Sequence, residues 1–104
     1  MLVAVKTSLA AKDLLLECLG EDGEVVPCKH FLEELDKENL TFPDALYVLQ
    51  HGNITDPADQ DIKTREWKYT IEGQEPDGKW IAIVFCFKAI NRAFLITVFS
   101  IRGR

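Results

Sequence analysis

The sequence predicts an α+β domain: three short helices followed by a three-stranded antiparallel β-meander, with the helices packed on one face of the sheet. Three observations carry that reading. Residues 67–72 alternate, with Trp67, Tyr69 and Ile71 on one face and Lys68, Thr70 and Glu72 on the other, which is the pattern of a half-buried strand. Residues 80–87 are apolar at nearly every position, as in a central strand covered on both sides. Upstream, apolar residues recur at helical rather than alternating spacing, so helices and strands are segregated along the chain.

A first helix is expected after Thr7 or Ser8, either of which can accept a backbone N–H at its start, with Leu9, Leu15, Leu16 and Leu19 at helical spacing and Gly20 at its end. Val25-Val26 before Pro27 reads as a brief extended stretch, because a residue preceding proline is pushed out of the helical region. A second helix runs from about residues 28–30 to Glu38, with Phe31, Leu32 and Leu35 inward and Glu33, Glu34, Asp36, Lys37 and Glu38 in water. Thr41-Phe42-Pro43-Asp44 opens a third helix, since threonine and aspartate can each satisfy the other's backbone donor and proline is tolerated in a first turn. Phe42, Ala45, Leu46 and Leu49 form its apolar stripe, and Gly52 is the expected left-handed stop.

Residues 55–61 read as a polar, mobile loop without an apolar anchor, leading to Lys63-Thr64-Arg65 and the first strand. Glu75-Pro76-Asp77-Gly78 is a type I turn followed by a glycine. Asn91-Arg92 turns the chain into the last strand, Phe94-Leu95-Ile96-Thr97-Val98-Phe99, and Ser100, Arg102 and Arg104 return it to water.

The 104 residues make one domain, with 47% apolar and 28% charged residues, the composition of an ordinary globular protein. No run of about 18 apolar residues predicts a membrane span, and residues 9–19 are too interrupted by Lys12, Asp13 and Glu17 to be a signal-peptide core. Cys18, Cys28 and Cys86 are an odd number without paired spacing, which points to free thiols, a reducing compartment and a cytoplasmic protein. A zinc site would need Cys28 and His30 joined by Cys18 and His51, without the compact ligand pairs of structural zinc, so no metal is expected. A glycine-rich phosphate loop, a nucleophile elbow and a calcium loop are all lacking, and no cofactor is expected.

The net charge of −5 is unevenly spread: residues 1–62 carry a net −9 and residues 63–104 a net +4. Because screening makes the local patch decisive over about 8–10 Å, the basic sheet half suggests an anion-binding side. The meander places Arg65 and Lys68 at one sheet end with Lys88 and Arg92, and Arg102 and Arg104 at the other. Converging cations of this kind hold phosphate; cations that solvate strand edges and discourage aggregation are the other reading. His30, opening the second helix, has the chemistry of a proton shuttle or is merely solvated. His51 sits where a helix C-terminus favours its charge.

From residues 25 to 99 the chain resembles the bacterial domain of unknown function (DUF) family 4258. The residues that carry the likeness are His30, Leu40-Thr41, Gly52-Asn53-Ile54, Trp67-Lys68-Tyr69, Asp77-Gly78 and Ile96-Thr97-Val98-Phe99. The resemblance implies a compact domain similar to small toxins of the BrnT and RelE kind, which cleave RNA without metal and are neutralised by an antitoxin. Carried onto this chain, the family's histidine is His30, as acid or base, and its last-strand threonine is Thr97; the residues themselves add Lys68 and Tyr69 to the expected catalytic set and Arg65, Lys88, Arg92 and Arg102 on the substrate. The family's usual arginine, four residues after the histidine, is Glu34 here, and an anion at that position repels phosphate. The competing expectation is a non-catalytic module that binds a basic protein through its acidic helices, or through a sheet edge.

Overall fold

The computed structural model describes residues 4–101. It is α+β, with α1 (Ser8–Cys18), β1 (Glu24–Pro27), α2 (Lys29–Lys37), α3 (Phe42–His51), β2 (Asp59–Gln60), β3 (Trp67–Gln74), β4 (Trp80–Ala89) and β5 (Arg92–Ser100) in chain order. The meander β3-β4-β5 forms as expected, but it is the middle of a five-stranded mixed sheet in the order β1-β5-β4-β3-β2. β1 runs parallel to β5, Val25 opposite Ala93 and Val26 opposite Phe94, and β2 pairs antiparallel with β3. The brief extended stretch expected at Val25-Val26 is thus strand β1, although four residues are too few to show its pairing, and the two residues of β2 fall in what sequence reads as loop.

Alternation sorts the strand residues between two faces. Tyr69 and Ile71 of β3, Ile81, Ile83, Phe85 and Phe87 of β4, and Ala93, Leu95 and Val98 of β5 all join one apolar core with the helices. Tyr69, Phe85 and Phe87 meet ring to ring with centroids 5.4–5.6 Å apart. The other face of β4 is not covered by any helix, contrary to the expectation of cover on both sides. Ala82 and Cys86 are buried there outside the main core, since small side chains sink between Phe94 and Phe99 on β5 and the β3 side chains opposite.

The helices are set by caps. In α1 the Thr7 hydroxyl accepts the Ala10 N–H, and the buried face is Ala11, Leu15 and Cys18. Of the expected leucine stripe, Leu15 is buried and Leu19 packs on the core, while Leu9 and Leu16 are exposed. The rotation of α1 is fixed by Lys12, whose ammonium donates to the carbonyls of Leu49, Gln50 and Gly52 at 2.7–3.0 Å, closing the C-terminus of α3. Burial lowers the Lys12 pKa.

α2 buries Phe31 and Leu35 and leaves Leu32 exposed. It ends with Asn39 at φ 57°, and the Leu40 N–H reaches the Leu35 carbonyl at 3.0 Å, so this is the helix with a left-handed stop. α3 has the expected reciprocal Thr41–Asp44 cap. Its last residue meets a different constraint from the one expected. Gly52 is extended, φ −76° and ψ 178°, and it is small because a Cβ there would stand 2.6 Å from the Glu72 carbonyl oxygen of β3.

Residues 55–66 are not a featureless loop. The Asp61 carboxylate accepts the N–H groups of Lys63 and Thr64, both at 2.9 Å, and the Asp61 N–H donates to the Glu66 carbonyl at 2.8 Å. The β3–β4 turn has Gly78 at φ 93°. Glu75 is buried in it because its carboxylate accepts the Lys79 N–H at 2.7 Å.

Candidate functional site

The sheet face that carries no helix among the described residues is where four of the eight expected site residues project. Lys68, Cys86 and Phe94 form one cross-strand row, and Thr70, Val84 and Thr97 form the next. Lys68 and Thr97 therefore share this face, two strand spacings of about 4.8 Å apart plus a two-residue step. Lys88 lies beyond Cys86, at a shift in register between Phe87 and Ala89, with its ammonium 5.4 Å from the centre of the Phe94 ring. Arg92 opens β5 beside Ala89. The convergence of Lys68, Lys88 and Arg92 at one sheet end is as the meander requires.

Each of these three cations is already held by an acid. Lys68 pairs with Asp61 at 2.9 Å, Lys88 with Glu66, and Arg92 with Glu24. The Asp61 carboxyl lies well below its ordinary range, first because the Thr64 N–H donates to it and then because Lys68 and the Lys63 N–H do. The hydrogen bond with Glu66 raises the pKa of Lys88, with burial opposing. An arriving phosphate would meet a carboxylate beside each of these cations, offsetting its charge.

The other expected residues lie apart from this cluster. Tyr69 points into the core, and its hydroxyl accepts the Lys6 N–H at 2.8 Å; burial raises its pKa, opposed by that bond. His30 is exposed in the first turn of α2, in the helical layer on the far side of the sheet from Lys68 and Thr97. Glu34 pairs with Lys37 at 3.3 Å. Arg65 adopts a left-handed φ of 61°, its carbonyl accepts from the Gln60 side chain, and its guanidinium forms no ion pair among the described residues. Arg102 and Arg104 lie outside the described residues. His30, Lys68, Tyr69 and Thr97 are thus divided between the helical layer, the uncovered sheet face and the core.

At the opposite end of the sheet a cleft of about 460 Å³ is bounded by Lys37, Glu38, Lys79, Trp80 and Ser100. Its carboxylate is satisfied. Glu38 accepts the Ser100 hydroxyl and pairs with Lys79 at 3.5 Å, and the Ser100 bond is the main cause of its lowered pKa.

The thiols are free: Cys18 and Cys86 are buried, Cys28 half-buried. Burial, with Glu17 nearby, raises Cys18 to about 11. Cys28 donates to the Ile96 carbonyl at 3.2 Å. Among the described residues no group of three His, Cys, Asp or Glu side chains is arranged to hold a metal ion, and no helix is long and apolar enough to cross a membrane.

The partners Asp61, Glu66 and Glu24 are what sequence reasoning missed. Asp61 carried a local signal, since an aspartate two and three residues before Lys63 and Thr64 can cap their N–H groups. Glu24 carried none, because its place beside Arg92 depends on the parallel β1–β5 pair.

No curated protein and no solved structure matches the chain significantly. Residues 28–100, from the residue before α2 to the end of β5, match the family model described as Domain of unknown function (DUF4258), and the chain belongs to that family.

Proposed function

We propose that this chain is a non-catalytic protein-interaction module that takes a basic partner on its acidic helical side. The observation that carries the reading is the distribution of unpaired charge. The sheet cations Lys68, Lys88 and Arg92 are each neutralised by an acid. Asp13, Glu17, Glu21 and Asp22, on α1 and the turn after it, are exposed and form no ion pair among the described residues. The α2 face is a weaker candidate than the sequence suggested. Glu34 is engaged by Lys37 and Glu38 by Ser100 and Lys79, which leaves Glu33 and Asp36. Four uncompensated acids close together steer a basic surface and fix its orientation, with an effect that weakens in salt.

The RNA-cleaving, toxin-like reading is the second one, and the exposed His30 is the observation that favours it. Against it, Glu34 stands where the family's arginine would hold phosphate, although the exposed Lys29 adjoins that histidine in sequence.

One pair of assays separates the two. Structured and single-stranded RNA incubated with the parent and with His30→Ala in EDTA should stay intact in both, and cleavage by the parent alone would overturn the module in favour of a ribonuclease. Affinity capture should return a basic partner that rebinds when both proteins are pure. Binding should fall in high salt and in a variant combining Asp13→Lys, Glu17→Lys and Glu21→Lys; a partner indifferent to those reversals, or none at all, removes the proposal.

A further inference from the structure

β1 is an outer strand of the sheet, and its open side has a defined hydrogen-bonding capacity. On its inner side the Glu24 N–H donates to the Asn91 carbonyl at 2.9 Å and the Cys28 N–H to the Leu95 carbonyl at 3.0 Å. Inward and outward residues alternate along a strand, so the N–H and carbonyl of Val25 point away from the sheet. Pro27, the next outward position, has no N–H. The edge therefore offers one amide, at Val25, rather than a continuous row that would invite indiscriminate pairing.

Next to this edge, the end of α1, β1 and one stripe of α3 enclose a groove of about 270 Å³. Leu19, Val25, Phe42 and Leu46 line it, each half-buried against the core. Val25 packs toward the core, so the groove lies on the helical face of the sheet beside β1. The volume is below that of an ordinary small-molecule pocket and suits one aliphatic or aromatic side chain. Acids border the same edge: Glu21 and Asp22 precede β1, and Glu24 projects from it toward the uncovered face, half-exposed although paired with Arg92.

We infer that β1 and this groove form the docking site for an extended segment of a partner protein in which basic and apolar residues alternate, added to the sheet as a sixth strand. The inference rests on the interaction-module reading and specifies where the partner binds and with what chemistry. A strand laid about 4.8 Å outside β1 exchanges hydrogen bonds with Val25. Its side chains on the helical side fall beside Val25, where the groove receives an apolar one. Those on the other side fall beside Glu24, with Glu21 and Asp22 at the end of the strand, where lysine or arginine is complementary. The single outward amide fixes the register.

The test uses the full chain and a fluorescein-labelled heptapeptide in which lysine alternates with valine and a central phenylalanine, followed by anisotropy. The parent should bind it saturably and should not bind the same peptide with glutamate for lysine. Val25→Pro, which removes the outward amide, and Leu46→Gln, which makes the groove polar, should each weaken binding at least tenfold while melting within a few degrees of the parent. Hydrogen exchange on the parent needs no variant, and the Val25 amide should slow at least tenfold when the peptide is saturating. Equal binding by all three proteins, or an unchanged Val25 amide, overturns the site while leaving a module that binds elsewhere on its acidic side. Absence of any saturable binding by the parent also overturns the site, whereas the module itself stands or falls on capture of its partner and the α1 charge reversals.

Discussion

Replacing Gly52 by alanine and, separately, by asparagine distinguishes two reasons for a glycine at the end of α3. If the residue were a left-handed stop, alanine would cost about 1 kcal/mol and asparagine, which tolerates that region, would cost less. Gly52 is extended, with φ −76° and ψ 178°, a conformation open to any residue. The constraint is space: a Cβ would meet the Glu72 carbonyl oxygen at 2.6 Å, the Val48 carbonyl oxygen at 2.7 Å and Ile71 Cγ1 at 3.0 Å. Two of those are backbone atoms, which no rotamer change can move. Glu72 is also tied down, because it exchanges hydrogen bonds of 2.8 and 2.9 Å with Asn53. Relief requires α3 and β3 to separate, at an overpacking cost of about 1–3 kcal/mol, and the Asn53–Glu72 pair is then stretched at about 1 kcal/mol per bond. Alanine should therefore cost about 3–5 kcal/mol, and asparagine at least as much. For a domain of this size that is a fall in Tm of about 15 °C or more. Urea denaturation and thermal melting of both variants measure it. An asparagine variant within about 1 kcal/mol of the parent would refute the steric account.

Two further outcomes follow from the same contacts. Lys12→Met removes the donor to three carbonyls at the end of α3; it should cost about 1–3 kcal/mol in urea and speed amide exchange in the last turn of α3 more than in α2, and a uniform effect on both helices would contradict the capping role. Asp61 has a folded-state pKa below its ordinary 3.8, so its contribution to stability is present above about pH 4 and is lost as pH falls through the folded value. Asp61→Ala should be less stable than the parent at pH 7 and should lose less on going to pH 3; parallel losses in the two proteins would show that the carboxylate is not the titrating group.

The elements legible in the sequence were those with local causes. The Thr41–Asp44 cap, the Glu75-to-Gly78 turn and the alternation of β3 depend on residues within four positions of one another, and all three form. What was not legible depends on distant partners. The sheet gains β1 only because residues 24–27 meet residues 92–95, and β2 only because Asp59 and Gln60 meet Lys68 and Trp67. The same holds for α1. Leucine spacing gives a stripe through Leu9, Leu15, Leu16 and Leu19, of which Leu15 and Leu19 pack on the core; the reach of Lys12 to the end of α3 accompanies a face of Ala11, Leu15 and Cys18 that leaves Leu9 and Leu16 outside. At the site, strand order correctly brought Lys68, Lys88 and Arg92 to one end. It could not place Tyr69 and Lys68 together, because adjacent residues of one strand face opposite sides.

Charge shows how far a segment total can mislead about a surface. Residues 63–104 are basic as a sequence, and that excess suggested an anion site on the sheet. Folding brings acids of the first 62 residues onto it: Asp61 reaches Lys68, Glu24 reaches Arg92 and Glu38 reaches Lys79, while Glu66 meets Lys88 from within the basic half. Each pair is partly exposed and worth little in stability, on the order of 0–1 kcal/mol, yet each removes a cation from the list available to a ligand. The same pairing consumes acids of the helical half selectively. It takes Glu24, Glu34, Glu38 and Asp61; the acids it leaves without an ion-pair partner among the described residues include Asp13, Glu17, Glu21 and Asp22 along α1 and the turn after it and Glu33 and Asp36 on α2. The polarity seen in the sequence thus survives folding in the helical half, with its longest run of unpaired acids from α1 to the start of β1, and that stretch, rather than the sheet, is where a charged partner has most to gain.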